Sequence, residues 1–170
     1  MTNGEKPAII LLGHGSRVAH AGENMEKVAQ RLKELYDFRT IEYCFMSRLG
    51  PHFPETLEKV VAMGEKNILV VPYFLHSGLH IVLDIPEMMQ EEANKYPGVK
   101  LTLGVNLGYD DLLVELLFKR IQESKDMQDV RELELPARKN FPVPPGQKEF
   151  VPMDPVEAEK HFKERGNDHH

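Results

Sequence analysis

Four short apolar segments, each followed by a stretch with helical periodicity, constrain the fold of this chain more than any other feature. The segments cover residues 8–12, 40–46, 68–71 and 99–105. They are short, rich in β-branched residues and bounded by polar residues, glycine or proline, which is typical of buried strands. Successive strand–helix units of this kind predict an α/β fold, a parallel four-stranded sheet with helices on both faces.

The same periodicity predicts the helices and several of their ends. The first helix covers residues 25–36, and the second begins at Pro54 and ends before Gly64. We expect the third helix to begin at Asp84, with its carboxylate as the N-cap, and the fourth to be capped by Asp110. The apolar residues that should turn the fourth helix toward the core are Leu113, Leu116, Leu117 and Ile121.

Length, charge and cysteine content limit the partners and the compartment. With 170 residues, one domain and an appendage are expected, and the net charge of -6 argues against a surface for nucleic acid or anionic membrane. The single cysteine, Cys44, excludes an internal disulfide and a thiolate zinc cluster, and we expect it to be buried and inert. Because no apolar run suits a signal peptide or a membrane span, we expect a cytoplasmic protein.

The chain changes in character after Glu123. Six of its 12 prolines fall between Pro136 and Pro155, without a periodic apolar pattern. Such a segment does not build its own core and favours extended conformations. A short helix over residues 154–164 is compatible with the Asp-Pro pair at its start. We therefore predict a domain over residues 1–124 and an irregular proline-rich C-terminal tail over residues 125–170.

Two loops that follow predicted strands carry the residues of chemical interest, because open α/β sheets place ligands at the carboxyl ends of their strands. The run Gly13-His14-Gly15-Ser16-Arg17 offers a tight turn, a hydroxyl donor and a fixed positive charge. The loop after the third strand has His76 and His80 on either side of Gly78. Imidazole is a common ligand for divalent cobalt, nickel, iron and zinc. The alternative for each histidine, taken alone, is an exposed loop residue.

Neither loop carries a nucleotide-binding motif. Val18 stands where a dinucleotide-binding fingerprint needs its third glycine, and Walker A and nucleophile-elbow patterns are absent from the sequence. We therefore expect no nucleotide cofactor. Without a second cysteine or a His-Glu-x-x-His helix, any metal ion would be held by few protein ligands. An open site of that kind suits the transfer of a metal ion better than its storage.

Taken together, the two loops resemble a known family. Residues 11–17, Leu-Leu-Gly-His-Gly-Ser-Arg, resemble the opening signature of the sirohydrochlorin chelatases, the small cobaltochelatases and ferrochelatases of the CbiX and SirB type. Residues 71–80, followed by Asp-Ile-Pro at 84–86, are similar to the second signature of that family. The resemblance covers about residues 8–123 and does not extend to the tail.

The resemblance implies a chelatase-type fold in which the first and third strands are neighbours, so that both loops meet at the topological switch point. His14 and His80 match the signature histidines that bind the metal and act in its insertion. His76 is a further candidate metal ligand, at a position where the family is not expected to require histidine. The residues expected to bind the substrate are Gly15, Ser16, Arg17, Arg48 and Gly78. For the two arginines, surface salt bridges are the alternative.

One position departs from the family pattern. Relatives often carry an acid after the phenylalanine that ends the second strand, and this chain has Ser47 there. If that acid binds metal or takes a proton, its role is vacant here or passes to His76 or Glu42.

These inferences predict a sirohydrochlorin cobaltochelatase with Co²⁺ as its metal substrate. Insertion of Fe²⁺ or Ni²⁺ is the alternative, because imidazole ligands follow the same affinity order whatever the pathway. The non-enzymatic alternative is a tetrapyrrole carrier or a metal chaperone on the same fold. Because one copy of each signature supplies only one wall for a broad macrocycle, we also expect a homodimer.

Overall fold

The computed structural model describes residues 6–18 and 20–140 of the chain. The chain divides into two compact units, Met1–Glu134 and Leu135–His170. The first unit contains the whole sheet and the four α-helices described below. The helix predicted over residues 154–164, and most of the proline-rich tail, lie outside the described residues.

Four parallel strands form one sheet in the order β2-β1-β3-β4. The strands are β1 Ala8–Gly13, β2 Ile41–Phe45, β3 Asn67–Pro72 and β4 Lys100–Leu103. In the middle of the sheet, Leu12 of β1 pairs with Cys44 on one side and Pro72 on the other. The predicted α/β fold is confirmed, including the adjacent first and third strands. Because the order reverses at β1, the carboxyl ends of β1 and β3 form the switch point at which such sheets bind ligands.

Helices lie on both faces of this sheet. Their bounds are α1 Glu23–Tyr36, α2 Phe53–Ala62, α3 Ile85–Ala93 and α4 Asp111–Glu123. Phe53 of α2 and Ile85 of α3 are fully buried on one face, and Met25 of α1 is buried on the other. Right-handed connections explain this division, because the direction of a connection along the sheet decides the face on which its helix lies. The connection from β1 to β2 runs in one direction, and the next two connections run in the opposite direction.

The start of α3 differs from the prediction. A π-helical turn, His80–Asp84, leads directly into α3, and the side chain of Asp84 makes no capping hydrogen bond. Instead, its carboxylate contacts His80, four residues earlier. The segment predicted as a loop up to Asp84 is therefore helical from His80. Turns of the π type are uncommon and concentrate at functional sites.

The predicted core face of α4 is also wrong. Asp110 caps the helix as expected, since its side chain accepts a hydrogen bond from the backbone N–H of Leu112 at 2.9 Å. However, no residue of α4 is buried by the described part of the chain, and Leu117 and Ile121 are each 63% exposed. The apolar pattern identified the helix correctly but did not reveal that its own sheet leaves it uncovered.

Cys44 is fully buried in β2, as predicted. Burial raises the pKa of its thiol to about 12, because the charged thiolate would lose its hydration. The thiol therefore stays protonated and unreactive at neutral pH. Within the described residues, no helix has the length and apolar character needed to cross a membrane.

Candidate active site

His14 and His80 lie side by side at the carboxyl end of the sheet. Their ring centroids are 5.2 Å apart and their planes meet at 60°. His14 directly follows β1, and His80 begins the π-helical turn after β3. The two strands are neighbours, and their pairing is extended by the N–H of Tyr73, which donates to the carbonyl of Leu12 at 2.7 Å. Sheet topology thus brings together two histidines that are 66 residues apart in sequence.

Each of these rings has one nitrogen engaged. His80 Nδ1 lies 2.6 Å from Asp84 Oδ2, and His14 Nδ1 lies 3.3 Å from the carbonyl oxygen of Gly15. Because a carboxylate and a carbonyl only accept hydrogen bonds, these contacts assign the ring hydrogen to Nδ1 and leave the lone pair on Nε2. Metal-binding histidines commonly donate their second nitrogen in this way. The two Nε2 atoms are therefore the candidate metal ligands.

Asp84 is the residue of this site that the sequence analysis missed. Its carboxylate orients His80, whereas the sequence predicted a helix cap. The signal was the spacing of four residues between His80 and Asp84, which brings side chains together on one side of a helix. Because the segment was predicted to be a loop, that spacing did not indicate a contact between the two side chains.

The backbone of the β1–α1 loop is held in place by the residues after β2. Gly15 has a φ of +99°, and a Cβ atom at this position would lie 1.9 Å from the carbonyl oxygen of Ser47. Only glycine fits here without displacement. The hydroxyl and the N–H of Ser47 also donate to the carbonyl oxygen of His14, at 3.1 and 3.2 Å. The serine that stands in place of the expected acid therefore fixes the backbone of His14.

Glu42 and His76 are the two residues considered as substitutes for the acid that relatives often carry in place of Ser47, and they lie in different places. Glu42 pairs with Ile10 in the sheet, and its carboxylate lies 2.8 Å from Nζ of Lys59, so the geometry does not support a role beside the histidines. His76 is exposed in the loop between β3 and the π-helical turn. Among residues 6–18 and 20–140, no three His, Cys, Asp or Glu side chains are grouped to hold a metal ion. A role of His76 as a third ligand stays a prediction.

The predicted substrate-binding residues follow β1, β2 and β3, at the same end of the sheet as the histidines. Arg17 is half-buried and Arg48 is exposed, and each also takes part in an interaction within the protein. The hydroxyl of Ser16 accepts a hydrogen bond from the N–H of Val18 at 3.0 Å. Beside Gly78, a Cβ atom would have no neighbour within 4 Å, so its backbone is open to approach.

Exposed apolar side chains accompany the second loop. Leu75 and Leu79 are 51% and 61% exposed, and Val82 in the π-helical turn is 67% exposed. The ring of Phe74 lies 6.4 Å from the ring of His80. Apolar side chains exposed next to polar groups are typical of ligand surfaces. This end of the sheet therefore combines two imidazole nitrogens with an apolar surface.

A cavity of about 440 Å³ is lined in part by residues of the β1–α1 loop. Gly15 and Ser16 line it together with Glu23 and Glu26, whereas the two paired histidines do not. Its carboxylates make it unsuitable for an anionic ligand.

Comparison with known proteins gives consistent matches. The chain matches the family model CbiX over residues 8–124. A sirohydrochlorin cobaltochelatase from Methanopyrus kandleri is 40% identical over 82 residues, 48% of this chain and 57% of that protein. The chain thus spans little more than half the length of this relative. A sirohydrochlorin cobaltochelatase from Methanococcoides burtonii is 32% identical over 127 residues, 70% of this chain and 97% of that protein.

Another relative is named a ferrochelatase, and a solved structure has the same fold. A sirohydrochlorin ferrochelatase from Priestia megaterium is 31% identical over 117 residues, 69% of this chain and 44% of that protein. The crystal structure of the sirohydrochlorin chelatase SirB from Bacillus subtilis, in complex with cobalt, is similar with a TM-score of 0.65 and 30% identity. That similarity covers 69% of this chain and 50% of SirB.

Proposed function

Because the chain belongs to the CbiX family, we propose that it is a metal chelatase that inserts Co²⁺ into sirohydrochlorin. The pair of His14 and His80, with ring centroids 5.2 Å apart, carries the proposal. Cobalt is favoured by the names of several relatives, and Fe²⁺ is the alternative metal because a ferrochelatase is also among them. Ni²⁺ is a further alternative, since imidazole binds all three ions. No nucleotide takes part in the proposed reaction.

The metal ion enters the reaction as a substrate held by the two Nε2 atoms. Two protein ligands leave most coordination positions to water, which the pyrrole nitrogens then replace one after another. A site with few ligands binds the ion firmly enough to position it and weakly enough to release it. The side chains of His14 and His80 are both exposed, that of His80 to 46%, and this accessibility suits the exchange of ligands.

Insertion also removes two protons from the pyrrole N–H groups. Imidazole exchanges protons near neutral pH, so an Nε2 atom that gives up the metal ion can accept a pyrrole proton in its place. The ring of His80 then becomes positively charged. The carboxylate of Asp84, 2.6 Å from Nδ1, stabilises that charge and keeps the ring in one orientation.

The surroundings of the histidines suit a flat ligand with carboxylates at its edge. Exposed Leu79 and Val82 offer apolar contact to the macrocycle. Arg17 and Arg48 bind its carboxylates, with backbone N–H groups near Gly15 and Gly78 as additional donors. We do not assign the substrate to the 440 Å³ cavity, because its glutamates would repel the same carboxylates.

We further propose that the enzyme acts as a homodimer in the cytoplasm. One copy provides a single wall beside the histidines, and ligand pockets commonly bury most of their ligand, which favours a second wall from a two-fold partner. The single cysteine of the chain supports a reducing compartment, in which Cys44 remains a thiol.

Metallation of sirohydrochlorin by the purified full chain tests the proposal. The absorbance change should proceed faster with protein than without it, over many turnovers, and fastest with Co²⁺ when Co²⁺, Fe²⁺ and Ni²⁺ are compared. The variants His14→Ala and His80→Ala should each lose this rate enhancement while remaining folded, because both side chains are exposed and remove no core volume. His20→Ala is the matched control, since its side chain is 80% exposed and its Nδ1 lies 3.0 Å from the carboxylate of Glu23, three residues further on.

Near-normal turnover in either site variant would contradict the proposal. Binding of one tetrapyrrole or one metal ion per chain, without any acceleration of metallation, would support the carrier or chaperone instead.

A further inference from the structure

Asn106, in the connection between β4 and α4, contacts the loop that leads to His80. Its side-chain amide nitrogen donates to the carbonyl oxygen of Phe74 at 3.1 Å, and its Oδ1 accepts a hydrogen bond from the hydroxyl of Ser77 at 3.2 Å. The N–H of Gly108, in the same connection, donates to the carbonyl of Phe74 at 3.4 Å. One half-buried side chain therefore bridges two residues of the loop.

Neighbouring strands lie on both sides of this loop. In the sheet, β3 stands between β1, which leads to His14, and β4, which leads to Asn106. Toward β1, the N–H of Tyr73 donates to the carbonyl of Leu12 at 2.7 Å, directly after the end of β3. Toward β4, the loop is bonded to Asn106. The start of the segment that carries His80 is thus held from both sides.

The residues bridged by Asn106 lie close to His80. The ring of Phe74 is 6.4 Å from the ring of His80, and Phe74 packs against the core cluster that contains Ile85, the first residue of α3. Residues 75–80, by contrast, are exposed, so packing restrains them little. Hydrogen bonds to this part of the loop are therefore the main restraint on the position of the His80 backbone.

The amide group suits the two bonds that Asn106 makes. The carbonyl of Phe74 only accepts hydrogen bonds and the hydroxyl of Ser77 donates one, and asparagine offers both a donor and an acceptor on one short side chain. An aspartate has the same size but presents only acceptors. It would keep the bond from Ser77 and place an oxygen against the carbonyl of Phe74 without a hydrogen between them.

We propose that Asn106 is a positioning residue of the active site, which connects the loop before His80 to the β4–α4 connection and holds the imidazole near His14. Asp84 also restrains the ring of His80, with Oδ2 2.6 Å from Nδ1, but it belongs to the same helical turn and moves with it. Asn106 instead fixes this segment relative to a different strand. The inference deepens the proposed function and rests on it only where turnover is measured.

Substitutions of Asn106 in the full chain test this role in the metallation assay. Asn106→Ala loses both hydrogen bonds and Asn106→Asp loses the one to Phe74, so kcat should fall about tenfold in each, as for groups that support a metal-binding histidine. The KM for sirohydrochlorin should change little, because the residue acts through His80. Asn67→Ala and Asn67→Asp are the matched controls, since Asn67 is exposed at the start of β3, at the opposite end of the sheet, and both should keep the wild-type rate.

Ser77 provides a second set of variants. Ser77→Ala removes its bond to Asn106 and should lose part of the rate, whereas Ser77→Thr keeps the hydroxyl and should retain it. Because the two side chains form one bridge, Ser77→Ala should cause no further loss when it is combined with Asn106→Ala. Losses that multiply in the double variant would contradict the bridge.

Nuclear magnetic resonance of the imidazole groups reports on His80 without any turnover. In Asn106→Ala, the signals of His80, assigned with the help of His80→Ala, should shift, because the neighbouring rings of His14 and Phe74 then lie at other distances. The signals of His20, which precedes α1, should not shift.

Two results would overturn the proposal. Unchanged His80 signals in Asn106→Ala would show that the bridge does not position the ring. A raised KM for sirohydrochlorin with a normal kcat would show that Asn106 contacts the substrate instead. If the wild-type chain does not accelerate metallation, the proposed function fails, and the His80 signals still decide the role of Asn106.

Discussion

The loop after β1 holds His14 through its backbone, whereas the segment after β3 holds His80 through a side chain. Gly15 and the carbonyl of Ser47 are in such close contact that only glycine fits, and Ser47 donates two hydrogen bonds to His14. His80 instead stands at the start of a π-helical turn and is oriented by Asp84. The ring centroids of the two histidines are 5.2 Å apart, yet steric contact and backbone hydrogen bonds position one of them and a side-chain carboxylate positions the other.

This difference predicts that the two segments respond to different substitutions. A position determined by steric contact is sensitive to added volume, and a position determined by a charged hydrogen bond is sensitive to a change of charge. The glycines illustrate the point. Both belong to the motifs that resemble the family signatures, yet a Cβ atom collides with Ser47 at Gly15 and meets nothing within 4 Å at Gly78.

The largest effect is expected for Gly15→Ala. The added methyl group must displace Ser47 or force the backbone away from its φ of +99°, which should lower the free energy of unfolding by about 2–4 kcal/mol. The shift of His14 should also reduce turnover by about 100-fold, since a misplacement of about 1 Å has effects of that size. Chemical denaturation and the metallation assay measure the two losses.

Gly78→Ala is the matched control, with the same added methyl group in the other segment. It should retain the stability of the wild type and most of its turnover, because the space beside Gly78 is open. Equal losses in the two variants would contradict the view that only the first segment is determined by steric contact.

A smaller effect is expected for Asp84→Asn. The amide keeps the size of the side chain but loses the charge that stabilises a protonated His80, so turnover should fall by about 10–100-fold, as for other groups that support a metal-binding histidine. Loss of charge should also change the pH profile of turnover, which a purely structural role would leave unchanged. Stability should change little, because the pair lies at the surface, with 46% and 37% of the two side chains exposed.

Two comparisons separate this role from a general effect of charge. Glu87→Gln removes an exposed carboxylate from the same helix and should keep full activity. Asp84→Glu restores the carboxylate and should recover part of the lost turnover. An Asp84→Asn variant with the rate and pH profile of the wild type would show that the contact with His80 has no function.

The sequence predicted the parts of the site that depend on backbone topology. Apolar periodicity was enough to predict four parallel strands, and the family resemblance was enough to predict that the loops of His14 and His80 meet. It did not predict the contact of Asp84 with His80, because that contact requires a helical turn where Gly78 favoured a loop. The uncovered α4 was missed for a related reason: an apolar pattern shows that a helix face needs cover, but not which surface covers it.

The smallest effect is expected for His76→Ala, which asks whether the second segment supplies one ligand or two. His76 is exposed, and it does not join a group of three metal-binding side chains within residues 6–18 and 20–140. Its removal should therefore weaken Co²⁺ binding and turnover by less than about tenfold, below the range for groups that directly support a metal site. Titration of the full chain with Co²⁺, followed by the metallation assay, compares this variant with His80→Ala, which should lose both. If His76→Ala loses binding as completely as His80→Ala, the segment after β3 holds the metal ion through two histidines, and the pairing of one ligand from each loop is wrong.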